Sequence, residues 1–172
     1  MAVSIRGVVT VLLPGTGSDD DYLQRAFAEP LREAGAILIT VPPDPGRLVA
    51  GYLAAMDSAA EQSGRIAVGG VSLGALVATR WALDNQERAV AVLAVLPPWT
   101  GEPDGAPAAL SARHTAATLR RDGLAATTAA MRASSPPWLA DELARSWHRQ
   151  WPHLPAAMEE AAACVGCLLY TS

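Results

Sequence analysis

Four short apolar runs, spaced by longer stretches of helical periodicity, limit what this chain can fold into. Gly7–Leu13, Ala36–Val41, Arg65–Val71 and Ala89–Leu96 are dominated by Val, Ile, Leu and Ala. Continuous apolar runs of this length, without polar alternation, are the pattern of strands buried on both faces. The segments between them read as helices. Ser18 with Asp21 three residues on is an N-cap signature, and Asp19, Asp20 and Asp21 suit the positive end of a helix. Leu23, Phe27 and Leu31 follow at four-residue steps, Pro30 predicts a kink or an early end, and Gly35 stops the run. Asp44 is the expected cap of a second helix with Pro45 at its first position, and Leu48, Val49, Tyr52, Leu53 and Met56 form one face. A third helix is expected over Gly74–Asp84. Strand and helix in strict alternation predict an α/β fold with a mostly parallel sheet and flanking helices.

The rhythm changes after Leu96. A Pro/Gly loop, Pro97–Gly105, leads into three helical stretches with no strand between them: about Ala108–Arg121, Leu124–Arg132 and Pro137–Trp151. The last places Leu139, Leu143, Trp147 and Trp151 at four-residue steps, read as a helix packing on its own domain in preference to a ligand-facing wall. Residues 1–96 are therefore the α/β core, 97–163 a helical cap inserted in the same domain, and 164–172 the end of the chain.

Composition narrows the classes further. A chain of 172 residues fits one domain that buries about 70% of its unfolded surface. With 51% hydrophobic residues and a net charge of −4, intrinsic disorder is excluded. No basic block offers a footprint for nucleic acid. No apolar run is long enough to span a bilayer. Arg6 followed by Gly7–Leu13 imitates a signal peptide only faintly, and Pro14–Ser18 is no cleavage site, so a cytoplasmic location is expected. Cys164 and Cys167 make no disulfide framework; their C-x-x-C spacing lacks a second pair or a thioredoxin context, so no metal is expected. Every basic side chain is arginine, and alanine is the commonest residue, which suggests a GC-rich coding sequence. Cys167–Ser172 breaks that habit and matches the translation of a transposon-end sequencing adaptor. The tail is expected to be a library scar, and the chain a fragment cut after about Gly166.

The strongest local signal is Gly70-Val71-Ser72-Leu73-Gly74, a G-x-S-x-G at a strand-to-helix junction. A serine on so sharp a turn sits in a strained backbone, and the residues two before and two after must be small to avoid collision across it. The turn lifts the Ser72 hydroxyl above the C-terminal edge of the sheet and turns the Leu73 N–H and the helix N-terminus toward the same point.

At these residues the chain resembles the α/β-hydrolase family. The resemblance covers Gly7–Leu96 in element order, the four strands matching the family's third to sixth, and the helical insertion resembles the family's cap. It is most similar to small hydrolases of GC-rich bacteria. It implies that Ser72 is a nucleophile and that the Leu73 N–H is one oxyanion donor. The family's second donor follows its third strand, where a His-Gly pair is common. Here Pro14 replaces the histidine, Gly15 keeps its place, and the Thr16 N–H is the matching donor. As a nucleotide-binding turn, Pro14–Gly17 fails, because Asp19–Asp21 stand where a phosphate would lie.

In this family the acid and then the histidine follow the last strands. His114, His148 and His153 come too early and are expected to be ordinary cap or surface residues; Glu102 and Asp104 have only their position in their favour. The resemblance thus implies the N-terminal part of a serine esterase-like hydrolase acting on a small acyl or ester substrate, inactive without its acid and histidine. Two alternatives stand beside it: a non-catalytic α/β protein binding an apolar ligand under the cap, and an acyltransferase or thioesterase. The substrate and oligomeric state are not readable from these residues.

Overall fold

A computed structural model describes residues 4–166; the expectation placed on Cys167–Ser172 lies outside the described residues. Four strands, β1 (Val9–Leu13), β2 (Ile37–Thr40), β3 (Ile66–Val71) and β4 (Ala89–Val95), form one sheet in the order β2-β1-β3-β4, every neighbour parallel. The register sets Val11 beside Ile39 on one side and Val68 on the other. Helices α1 (Asp20–Glu33), α2 (Leu48–Ser63) and α3 (Leu73–Asp84) connect them. The expected parallel α/β architecture is therefore present.

Period-two alternation in the central strand sorts the core into two layers. Val11 and Leu13 join Ile66, Val68, Tyr52, Met56, Val77 and Trp81 beneath α2 and α3. Leu12 points the other way, packing with Leu23 and Leu31 of α1. Both sheet margins are open among the described residues: Ile37 of β2 is 54% exposed and Val92 of β4 is 41% exposed.

Local boundaries differ from the sequence expectations where side chains compete for backbone donors. Asp19, not Ser18, caps α1, its carboxylate accepting the Tyr22 N–H at 3.0 Å. Pro30 does not interrupt the helix, which continues to Glu33 before Gly35 at φ +76° turns the chain. Asp44 accepts the Gly46 N–H and holds a turn instead of starting α2, which begins at Leu48. The start of α2 is instead capped from far along the chain: the Glu160 carboxylate accepts the Leu48 and Val49 N–H groups at 3.1 and 2.9 Å.

The helical segment contains α4 (Pro107–Ser134), α5 (Pro137–Gln150) and α6 (Leu154–Ala162). Gly123, at φ +79°, breaks α4 into two arms at the junction between the first two expected stretches. The sequence reading missed α6, because Pro152 and Pro155 look like breakers. Pro155 sits in its first turn, where its lacking N–H costs nothing. Ala157 and Ala161 of α6 belong to the main core, so the segment after Leu96 is joined to the sheet domain along that helix.

Candidate active site

In open parallel sheets, ligand sites form outside the carboxyl ends of the strands where the strand order reverses. Here the chain leaves β1 toward β2 and returns across it to β3, so the reversal lies between β1 and β3. The loop Pro14–Ser18 follows β1 and Ser72 follows β3. Topology alone brings these two segments of the sequence reading side by side.

Ser72 has φ +54° and ψ −117°, one of two non-glycine residues with positive φ among the described residues. Such a conformation costs on the order of 1–3 kcal/mol and persists only where its surroundings enforce it. The enforcement is visible on both sides. The Ser72 N–H donates to the Val95 carbonyl at 2.9 Å, and the Ser72 carbonyl accepts the Leu76 N–H at 3.2 Å, starting α3. A Cβ on Gly70 would lie 2.3 Å from the Leu13 oxygen, and one on Gly74 would lie 2.1 Å from it. Both glycines are thus required by backbone atoms of β1, more strictly than the turn alone demands. Ser72 is half-buried, and its hydroxyl has no hydrogen-bond partner among the described residues.

Gly15 closes the approach from the other side. A Cβ there would stand 3.3 Å from the Ser72 Cβ and 3.2 Å from the Val71 oxygen. The loop is turned by the Ser18 N–H donating to the Gly15 carbonyl at 3.0 Å. Thr16, half-buried, is the next residue, and Leu73 is fully buried at the head of α3. A serine hydroxyl at the mouth of a sheet, beside a glycine loop and a helix N-terminus, suits chemistry in which negative charge develops on a carbonyl oxygen.

The other residues weighed from the sequence lie elsewhere. His114, His148 and His153 are exposed on the helical segment, and none hydrogen-bonds to Ser72. Asp104 is exposed and pairs with Arg113 at 3.4 Å, while Glu102 is exposed in the loop after β4. Cys164 lies near the end of the described chain, where its carbonyl accepts the Trp99 indole N–H at 3.0 Å.

Residues the sequence reading passed over tie the helical segment to the loop after β1. Gln150 donates to the Ser18 carbonyl at 3.1 Å, and Arg149 pairs with Asp19 and Asp21 at 3.4 and 3.3 Å. Trp147 packs with Ala116, Leu119, Leu154 and Met158, as the stripe reading expected, but its indole also rests on Gly17. A Cβ on Gly17 would come within 2.7 Å of its Nε1. The signal for this contact was the four-residue aromatic stripe, which marks a buried face without naming what it faces.

Burial, followed by the nearby Asp20 and Glu160 carboxylates, pushes the Tyr52 phenol well above its ordinary range and keeps it neutral. Asp21 behaves oppositely. Partial desolvation would raise its pKa, but hydrogen bonds from Arg149 and Arg25 prevail and hold it below 3.8.

Comparison with known proteins places this arrangement. The chain resembles an esterase of Thermogutta terrifontis with a TM-score of 0.62 and 19% identity, covering 91% of this chain and 64% of that one. It matches a carboxylesterase of Nitrososphaera gargenis with a TM-score of 0.71 and 12% identity, covering 93% and 65%. A bottromycin epimerase shares the fold with a TM-score of 0.63 and 15% identity, covering 92% and 67%. The chain thus spans about two thirds of the length of these structures, and at such identities they speak to the fold alone. A search of curated proteins found no match. The model of the alpha/beta hydrolase family matches residues 2–171, and the chain belongs to that family.

Proposed function

We propose that the chain is part of a serine hydrolase that cleaves an ester or another acyl bond of a small molecule through Ser72. The observation that carries this reading is the enforced positive φ of Ser72 between two glycines that backbone oxygens of β1 and its loop leave no room to replace. In the reaction proposed, Ser72 Oγ bonds to the carbonyl carbon as its proton passes to a histidine base. The oxyanion is held by the Thr16 and Leu73 N–H groups. Collapse expels the alcohol, which takes that proton, and water then releases the acid from Ser72 by the same steps. Gly15, Gly70 and Gly74 act as turn glycines. The reaction requires no cofactor.

The acid and the histidine are assigned to residues outside these 172. His114, His148 and His153 are exposed and none hydrogen-bonds to Ser72 among the described residues, which supports this, as does a span of about two thirds of the esterase structures. The core over residues 1–96, the cap over 97–163 and a cytoplasmic setting complete the proposal.

A fluorophosphonate probe tests it. The whole gene product is expected to be labelled at Ser72, with labelling abolished in Ser72→Ala, and the 172-residue chain labelled at least about a thousandfold more slowly. Equal labelling of both chains would overturn the assignment of the base. No labelling of either would overturn the hydrolase reading in favour of a non-catalytic ligand-binding protein.

A further inference from the structure

In the turn that carries Thr16, the neighbours are held and Thr16 itself is not. The Ser18 N–H closes the turn on the Gly15 carbonyl at 3.0 Å. Gly17, at φ +73°, fills the third position, which type II turns reserve for glycine. Gly15 is pressed against Ser72 and the Val71 oxygen. The Thr16 N–H, by contrast, makes no hydrogen bond among the described residues. A donor left open beside the residue that abuts Ser72 is free for a ligand oxygen, and its direction is set by the residues on either side.

Two of those holds come from α5. Gln150 Nε2 donates to the Ser18 carbonyl at 3.1 Å and to the Ser146 hydroxyl at 2.8 Å, so both amide protons are used and the group has one orientation. Gln150 and Ser146 are both buried. Releasing the Ser18 carbonyl would leave two polar groups without partners away from water, which makes this hold costly to open. Three residues earlier, on the same face of α5, Trp147 lays its indole edge on Gly17. A Cβ there would stand 2.7 Å from the Trp147 Nε1 and 3.2 Å from the Met158 Cε. Gly17 therefore cannot move toward the helical segment without displacing a buried indole.

Packing alone would not need this arrangement. Ala157 and Ala161 of α6 already join the helical segment to the sheet domain by apolar contact. The Gln150 and Trp147 contacts are directional instead, and both fall on the two residues that follow Thr16. We infer that Gln150 and Trp147 are positioning residues for the reaction: through Ser18 and Gly17 they hold the Thr16 N–H where the oxyanion forms. The role in the chemical step rests on the hydrolase reading; the hold on the turn does not. A donor that meets charge present only in the transition state governs kcat and leaves KM alone, whereas a helix that merely encloses the substrate governs KM.

The experiment assays the whole gene product with p-nitrophenyl acetate and follows Ser18 amide exchange by NMR in the ¹⁵N-labelled 172-residue chain. Gln150→Met keeps the length of the side chain and removes its donor. Its kcat is expected to fall about tenfold at unchanged KM, a fraction of the cost of losing an oxyanion donor outright. Exchange at the Ser18 amide is expected to quicken about fivefold, the equivalent of one hydrogen bond. Trp147→Phe keeps a buried ring and withdraws the edge from Gly17; it gives the second reading if Gln150→Met fails to fold, with kcat lowered about threefold. Arg132→Ala breaks the exposed pair with Asp141 that joins α4 to α5 and is expected to move neither quantity. A rise in KM at unchanged kcat, Ser18 exchange unmoved by Gln150→Met, or an equal loss of kcat in Arg132→Ala would overturn the inference. Fluorophosphonate labelling of Ser72 in a gene product whose kcat ignores Gln150→Met and Trp147→Phe overturns the positioning role alone. Neither labelling nor hydrolysis in the unaltered gene product overturns the hydrolase reading, and the positioning role falls with it.

Discussion

The loop after β1 is held from two sides by opposite means. On the sheet side, backbone oxygens of Leu13 and Pro14 stand so close to Gly70 and Gly74 that no side chain fits. On the helical side, α5 reaches the same loop and the start of α1 through Gln150 and Arg149, and Arg25 reaches back to Glu142. The first contact is steric, has no dependence on charge, and cannot yield without moving backbone. The second combines a hydrogen bond from the buried Gln150 amide with ion pairs whose arginines are roughly half exposed, so that water and salt weaken their attraction. One side holds the loop by backbone packing and the other in part by charge.

The sharpest way to break that contrast is on the sheet side. Gly74→Ala puts a Cβ 2.1 Å from the Leu13 oxygen and 2.8 Å from the Pro14 oxygen, neither of which belongs to a flexible group. The expected loss is about 4 kcal/mol or more, a large part of the stability of an ordinary domain, read by urea unfolding. Gly105→Ala is the control: nothing lies within 4 Å of its added Cβ, and a change under about 0.5 kcal/mol is expected. A Gly74→Ala protein as stable as Gly105→Ala would remove the steric account of Ser72.

A second, smaller effect tests how α6 joins the two regions. Glu160 is the cap of α2 across 112 and 111 residues of chain, accepting two N–H groups that α2 cannot satisfy itself. Glu160→Gln keeps the shape but replaces one acceptor oxygen with a donor nitrogen. A loss of about 1–2 kcal/mol is expected, with faster hydrogen exchange at Leu48 and Val49. Unchanged exchange at those amides would show that the cap contributes nothing.

The same contrast explains what could be read from sequence. Apolar runs and glycine spacing are local signals, and they located the four strands, α1 and α3 closely, along with Ser72 and its flanking glycines. Caps were misplaced because several candidates compete within a few residues: Asp19 outcompetes Ser18, and Asp44 serves its own turn. Glu160 could not be assigned, since its partners are over a hundred residues away and only the tertiary fold introduces them.

The smallest expected effect falls on the helical side, where pH serves as the probe. Arg149 and Arg25 hold Asp21 below its ordinary 3.8 against partial desolvation, so its ionised form is favoured in the folded state. A carboxylate with a lowered folded pKa adds stability that is fully present above the unfolded value and is lost as pH falls through the folded one. The ion pairs of Asp21 with Arg149 and Arg25 are therefore expected to persist into acid and to be lost as pH falls through that lowered value, while the packing around Ser72 keeps its geometry. Arg149→Ala is expected to cost no more than about 1 kcal/mol at neutral pH and to flatten that acid response. Hydrogen exchange compared between α5 and β3 reads both. Loosening of β3 before α5 on acidification would mean that the two sides of the loop are not held independently, and the division between steric and charged contacts would fall.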